Sequence, residues 1–148
     1  MHPSRILSLH TVETVVVNCI DFRFREGAVR ALKDAFGITA YDEIKLAGGA
    51  KNLSMPVKEG RREAVCDDVA LAIGAHRATR VVLLNHENCG KYASEGHAFD
   101  DSKKEHAFHA EELRRAGAQV RARHPRAEVL LGFLFVDSDE SIRIEVIA

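Results

Sequence analysis

The stretch NHENCG, residues 85–90, combines an imidazole and a thiol at a spacing that suits shared chemistry. His86 and Cys89 lie three positions apart and follow the apolar run VVLL. The pair allows three interpretations: a metal site, a nucleophilic cysteine activated by a histidine, or a buried cysteine beside an incidental histidine. The pair alone does not decide between them.

A second stretch, CIDFR at residues 19–23, adds another thiol together with a carboxylate and a guanidinium group. It also follows an apolar run rich in β-branched residues. Side chains alternate with a period of two along an extended strand. If the strand stays extended to this point, we expect Cys19, Asp21 and Arg23 to point to the same side.

Taken together, the two stretches supply the ligands of a tetrahedral zinc site: Cys19, His86 and Cys89, with Asp21 as an alternative fourth ligand. Catalytic zinc sites have three protein ligands and one exchangeable position, whereas structural sites have four fixed ligands. Asp21 therefore has two alternative roles. It either binds the metal and closes the site, or it pairs with Arg23 and leaves the fourth position to water.

The elements that must position these side chains are strands that alternate with helices. Apolar runs predict strands over residues 11–20, 41–48, 79–86, 127–137 and 142–148. Amphipathic spacing predicts helices over residues 24–36, 60–75 and 103–123. The longest helix opens on Ser102 and Glu105, which we interpret as a capping box.

Alternating strands and helices predict an α/β fold, with a mostly parallel central sheet of about five strands and helices on both faces. The last strand is expected to be antiparallel, because only a short connection precedes it. We assign residues 1–148 to a single domain, since no linker or repeat divides them. Cys19 and His86 both fall at the carboxyl ends of predicted strands, where parallel sheets bind their ligands.

The order Cys-x-Asp-x-Arg and then His-x-x-Cys-Gly resembles the β-class carbonic anhydrases. The matching residues are Cys19, Asp21, Arg23, His86, Cys89 and Gly90. The segment Ala47-Gly48-Gly49 also stands where that family has an alanine-glycine turn. The resemblance implies a zinc ion held by the two cysteines and the histidine. It also implies Asp21 and Arg23 as the catalytic pair, reversible hydration of carbon dioxide to bicarbonate, and a homodimer or higher homo-oligomer.

The sequence also departs from this family, and the departures keep two further functions open. Lys45 and Leu46 replace the arginine and asparagine that usually precede the turn. Only residues 1–10 precede the first predicted strand, where members of the family usually have an N-terminal helical arm. A non-catalytic zinc-binding domain with a structural or sensing role is the first alternative. A hydrolase of another small linear molecule, such as carbon disulfide or carbonyl sulfide, is the second.

Composition restricts the partners. The net charge of −1 argues against a nucleic-acid-binding protein, which usually has a large basic excess. No segment reaches the length of about 20 apolar residues that spans a membrane. The N-terminal residues lack the apolar core of a signal peptide, and we expect a cytoplasmic protein.

Four further residues, one cysteine and three histidines, lie outside these two stretches. Cys66 lies within a predicted helix, and we interpret it as part of the core, because free cysteine is among the most buried residue types. His97, His106 and His109 form a histidine-rich region that we expect to be an exposed polar face. The alternatives for these histidines are a second metal site, proton transfer to buffer, or contact with a partner subunit's site.

Overall fold

Five strands form one central sheet in the computed structural model, which describes residues 4–148. The first three residues of the predicted domain therefore lie outside the described residues. The strands are β1 (Thr14–Asn18), β2 (Asp42–Lys45), β3 (Arg80–His86), β4 (Glu128–Val136) and β5 (Ile142–Ile147), in the order β2-β1-β3-β4-β5. The pairs up to β4 are parallel and the pair β4–β5 is antiparallel. The predicted fold class is confirmed.

Helices cover both faces of this sheet, as the alternating pattern predicts. They are α1 (Arg25–Phe36), α2 (Lys51–Ser54), α3 (Glu59–Ala75), α4 (Gly90–Ser94) and α5 (Ser102–Arg123). One core cluster joins the sheet to α2, α3 and α5, and a second cluster joins the opposite face to α1. The two short helices, α2 and α4, are not predicted by the sequence pattern.

The central strand β3 shows why the sheet is buried on both sides. Val81 and Leu83 belong to the core cluster of one face, and Val82 and Leu84 belong to the other. All four side chains are buried. An unbroken apolar run, rather than an alternating one, is what such a strand needs.

The cap of α5 differs from the predicted capping box. Asp101, not Ser102, is the N-cap residue, and its carboxylate accepts hydrogen bonds from the amides of Lys103 and Lys104. Glu105 does not return its side chain to the cap; its carboxylate accepts a bond from the amide of Asn88 instead. An aspartate one position earlier satisfies the free amides, which leaves the glutamate available for another contact.

No helix within residues 4–148 is both long enough and apolar enough to cross a membrane.

The turn after β2 brings Gly49 against the two central strands, and replacing it should destabilise the protein. Gly49 has a φ of 54°, and a Cβ atom there would lie 2.6 Å from the Leu84 carbonyl oxygen. We expect Gly49→Ala to lower the free energy of unfolding by about 3 kcal/mol, through the clash and the positive φ. Urea denaturation measures this.

The matched control is Gly60→Ala in α3, where a Cβ atom meets nothing within 4 Å. This change should leave stability unaltered or raise it by up to about 1 kcal/mol. Equal effects of the two substitutions would contradict the close packing of the turn.

Candidate metal centre

Parallel pairing of β1 with β3 brings the two reactive stretches to one edge of the sheet. Val17 lies opposite Leu83, and because the two strands are parallel, β1 and β3 end at the same edge of the sheet. Cys19 follows β1, His86 ends β3, and Cys89 directly precedes α4. One ligand atom from each of these three residues lies within 4.8 Å of the other two, and all three side chains are buried.

The ring of His86 is oriented for metal binding. Its Nδ1 lies 2.7 Å from the carbonyl oxygen of Glu87, so Nδ1 carries the proton and donates it there. Phe24 packs on the ring with the centroids 4.5 Å apart. Nε2 is left as a buried atom without a hydrogen-bond partner among the described residues. A buried polar atom of this kind is costly unless something binds it.

The proton of the Cys89 thiol affects the pKa of Cys19, because the two side chains lie close together. The hydrogen bond from the Cys89 thiol lowers the pKa of Cys19, with smaller contributions from His86 and from the Gly48 amide, which donates to Cys19 Sγ at 3.3 Å. The same hydrogen bond, together with burial, raises the pKa of Cys89. A bound divalent cation would release that proton, because metal-bound cysteines are thiolates.

The donor set therefore fits zinc. Two thiolates and one imidazole nitrogen are ligands that zinc accepts in a tetrahedral shell. The imidazole is already in the tautomer that presents Nε2, and its Nδ1–H bond to a carbonyl is the usual support of a metal-binding histidine. Three side chains leave one coordination position for another group.

Asp21 and Arg23 lie beside these ligands, but not through the strand geometry that the alternating pattern predicts. The strand β1 ends at Asn18, and Asp21 is the N-cap of a single 3₁₀ turn over Phe22–Phe24. The carboxylate of Asp21 accepts the Arg23 amide at 3.0 Å, which is a capping bond. The expectation of an extended segment is wrong here, and a capped turn brings the pair together instead.

The guanidinium group of Arg23 donates hydrogen bonds to both oxygens of the Asp21 carboxylate. Nε donates to Oδ1 at 3.0 Å and Nη2 donates to Oδ2 at 2.6 Å. These hydrogen bonds are the largest cause of the low pKa of Asp21, which is about 2. Oδ2 also lies 3.7 Å from Nε2 of His86, so an ionised carboxylate faces the metal centre.

The histidines of this region are not members of the ligand cluster found among the described residues, and the expectation of an exposed face is wrong for His109. That side chain is fully buried and stacks on Phe133, with the ring centroids 4.9 Å apart. Burial lowers the pKa of His109 to about 3, so the ring is neutral near pH 7 and unsuited to carrying protons. His106 binds the Glu145 carboxylate at 2.6 Å, and His97 stacks on Phe108.

Cys66 and Lys45 have other surroundings, and Cys66 is not a member of the candidate ligand cluster found among the described residues. Cys66 is half-buried and packs against the core cluster of α3, which agrees with its interpretation as a core residue. Burial raises its pKa. Lys45 is half-buried at the end of β2, where its Nζ lies 3.9 Å from the carboxylate of Glu43.

Three residues near the site have contacts that the sequence does not reveal. Gly48 supplies the amide that donates to Cys19. Asn88 lies in the chain between the candidate ligands His86 and Cys89 and has a left-handed backbone, with a φ of 55°. Glu105 binds the Asn88 amide from α5. Only Asn88 stands close to the ligands in the sequence, and an asparagine at that position gives only a weak signal for such contacts.

Solved structures share the architecture. The carbonic anhydrase of Streptococcus mutans superposes with a TM-score of 0.59 at 15% identity, covering 94% of this chain and 83% of that one. The β-carbonic anhydrase isoform I of Trichomonas vaginalis has a TM-score of 0.56 at 14% identity, covering 94% and 85%. A carbon disulfide hydrolase in its apo form has a TM-score of 0.52 at 14% identity, covering 90% and 78%. At these identities the likeness establishes the fold alone.

Sequence comparison establishes the family. An uncharacterised protein of Rickettsia bellii is 20% identical over 132 residues, which cover 88% of this chain and 80% of the relative. Residues 10–148 match the model of a family described as "Putative carbonic anhydrase". Since this match takes in nearly the whole chain, the protein belongs to that carbonic anhydrase family and is a divergent member with the fold of the β-class enzymes.

Proposed function

We propose that the protein catalyses the zinc-dependent, reversible hydration of carbon dioxide to bicarbonate. One observation carries the proposal: Cys19, His86 and Cys89 converge at the sheet edge, and the buried Nε2 of His86 has no partner among the described residues. Membership of a carbonic anhydrase family supports the reaction class.

The proposed roles of the ligands, the metal ion and the neighbouring residues follow from the donor atoms and charges of the site. Cys19, His86 and Cys89 would hold the zinc ion. Zinc, when bound, supplies the acidity that lowers the pKa of a coordinated water to about 7. The residues of this chain then have to orient the attacking oxygen and exclude competing groups from the buried centre.

Asp21 is placed to orient the attacking water. Its carboxylate faces the centre, with Oδ2 3.7 Å from His86 Nε2, and it is ionised because Arg23 binds it. An ionised carboxylate accepts a hydrogen bond and aims a lone pair of the water at the carbon atom of carbon dioxide. The C–O bond forms, the water loses one proton to buffer, and bicarbonate leaves. In this arrangement Asp21 pairs with Arg23 rather than serving as the fourth zinc ligand.

A second subunit is part of the proposal. Two apolar side chains beside the centre are exposed, Ile20 at 60% and Phe22 at 84%. Exposed apolar groups next to a buried polar site are typical of a surface that another protein covers. We propose a homodimer or higher homo-oligomer in which this surface is buried.

A second candidate function is the hydrolysis of carbon disulfide or carbonyl sulfide. The fold likeness to a carbon disulfide hydrolase favours it. Both molecules are linear and have an electrophilic central carbon, so the same ligands and the same carboxylate would serve. The two candidates differ in the substrate that reaches the centre.

Stopped-flow measurement of carbon dioxide hydration on protein of known zinc content tests the proposal. We expect one zinc ion per chain and a hydration rate that rises in proportion to zinc content. The Cys89→Ser variant at the same concentration serves as the background. Zinc-loaded protein that does not hydrate carbon dioxide but releases sulfide from carbon disulfide would favour the second candidate. Zinc binding without either activity would identify a non-catalytic zinc domain.

A further inference from the structure

The guanidinium group of Arg23 donates hydrogen bonds to two residues, of which Asp21 is one. On the far side its Nη1 donates to the Asn88 side-chain oxygen at 2.9 Å, and its Nη2 donates to the Asn88 carbonyl oxygen at 3.0 Å. The guanidinium fork is therefore clamped between a carboxylate and an asparagine. Since an arginine fork is planar, fixing one edge fixes the direction of the other.

The clamp depends on an uncommon backbone conformation at Asn88. Its φ of 55° lies in the left-handed region, which residues other than glycine seldom adopt, although asparagine tolerates it better than most. In this conformation the carbonyl and the side-chain oxygen of Asn88 both reach Arg23. A residue in such a conformation needs other contacts to keep it there.

Glu105 supplies one of those contacts from the first turn of α5. Its Oε1 accepts a hydrogen bond from the Asn88 amide at 2.5 Å, and its side chain is only 12% exposed. The helix beneath it is anchored, because the Glu105 amide donates to the Asp101 carbonyl and α5 packs on the sheet through Leu113 and Ala116. Glu105 is thus a fixed acceptor.

The neighbouring residue, Glu87, secures the same loop on its other side. Its amide donates to the Leu134 carbonyl at 2.9 Å, and its carboxylate accepts the Val136 amide at 2.5 Å. The two residues between His86 and Cys89 are therefore tied to β4 and to α5. This leaves little freedom for the group that holds Arg23.

We propose that Glu105 and Asn88 are positioning residues that set the direction of Arg23 and, through it, of the Asp21 carboxylate. The catalytic consequence rests on the proposed function, whereas the structural consequence does not. Arg23 is 45% exposed, and an exposed arginine–aspartate pair without further partners is loosened by solvent. Asn88 accepts hydrogen bonds from Arg23, and Glu105 accepts one from the Asn88 amide. Together these bonds confine the pair of Arg23 and Asp21 to one geometry.

Two readouts on zinc-loaded protein test this proposal. The first is proton exchange with water at Arg23 Nε–H, followed by ¹⁵N NMR and assigned by the loss of its signal in Arg23→Lys. The second is the kcat and KM of carbon dioxide hydration. We expect Glu105→Ala to speed the exchange about threefold or more and to lower kcat and kcat/KM equally, by about tenfold, with zinc content unchanged.

Two further variants keep the test informative if Glu105→Ala folds poorly. Glu105→Gln keeps an acceptor oxygen and should recover most of the lost rate. Asn88→Gly keeps the left-handed backbone and removes only the oxygen that binds Nη1, so it should speed Nε–H exchange. The control is Glu111→Ala, an exposed position of the same helix whose carboxylate contacts only Arg114.

Arginine exchange in Glu105→Ala and Asn88→Gly that matches the control would overturn the proposal, whatever the activities. A folded wild-type protein that binds zinc but does not hydrate carbon dioxide would overturn the proposed function alone. In that case the exchange measurement still decides whether Glu105 and Asn88 position Arg23.

Discussion

Replacing Cys89 with serine should weaken zinc binding by about a hundredfold or more. The thiol is one of three ligand atoms that lie within 4.8 Å of one another, and a serine hydroxyl is a poor zinc ligand at neutral pH. Complete protein zinc sites contribute about 10–16 kcal/mol of binding free energy, so the loss of one ligand should weaken binding by roughly 3 kcal/mol or more. Zinc affinity by competition with a chromogenic chelator measures this directly.

The matched control for this prediction is Cys66→Ser. Cys66 is the one cysteine of the chain that is not a candidate ligand, and it packs against the core cluster that includes α3. Its replacement should leave zinc affinity unchanged, although it costs some stability. An unchanged zinc affinity in Cys89→Ser, or an equal loss of affinity in both variants, would refute the assignment of the ligands.

Thermal unfolding gives a second measure of the same prediction. A ligand that binds only the folded state raises its stability by RT ln(1 + [L]/Kd). Added zinc should therefore raise the unfolding temperature of Cys89→Ser much less than that of the wild-type and Cys66→Ser proteins. A shift of the same size in all three would place the metal elsewhere.

The convergence of the ligands could be predicted because it depends on topology alone. Cys19 and His86 follow apolar runs that read as buried parallel strands, and the carboxyl ends of such strands meet at one edge. The register of Val17 opposite Leu83 confirms that arrangement. The final antiparallel pair follows from an equally local signal, the short connection before the last strand.

The geometry of Asp21 and Arg23 could not be predicted in the same way. Strand alternation accounts for Cys19, Asp21 and Arg23 on one side only if the chain stays extended. In the structure the strand stops at Asn18, and the side chain of Asp21 caps a 3₁₀ turn. Where a strand ends depends on how many neighbours it pairs with, which the residues of one strand do not specify.

The environment of His109 depends on tertiary packing. The sequence places it three residues from His106 on one helix, and either solvent or core is compatible with that spacing. The docking of α5 against Phe133 decides the outcome and buries the ring. The same docking carries Glu105 to Asn88, residues that lie 17 positions apart in the chain. Contacts of this kind follow from the fold and not from a motif.

Replacing Asp21 with asparagine should lower kcat/KM for carbon dioxide hydration by about 10²–10³-fold while zinc remains bound. The asparagine keeps the shape of the side chain but loses the charge and one acceptor oxygen, and its amide group would face the donors of Arg23. The side chain would then turn away from the attacking water. Stopped-flow rates on variants of matched zinc content measure the loss.

The same loss is expected at every pH between about 5 and 9, because Asp21 stays ionised throughout this range. The hydrogen bonds from Arg23 hold its pKa at about 2, and a bound cation would lower it further. Protonation of Asp21 therefore does not compete with catalysis near neutral pH. A loss confined to one end of the range would indicate that another group orients the water.

Arg23→Lys provides the complementary variant, and Arg25→Lys is its control. Lysine keeps the charge of Arg23 but lacks the planar fork. It therefore cannot bind both carboxylate oxygens of Asp21 and also reach the oxygens of Asn88. We expect it to lower kcat/KM by about tenfold or more, whereas Arg25, exposed at the start of α1, should tolerate the change. If Asp21→Asn and Arg23→Lys both keep rates within about threefold of the wild type, the pair serves only to cap the turn before α1. The orientation of the attacking water would then have to come from the metal ligands themselves.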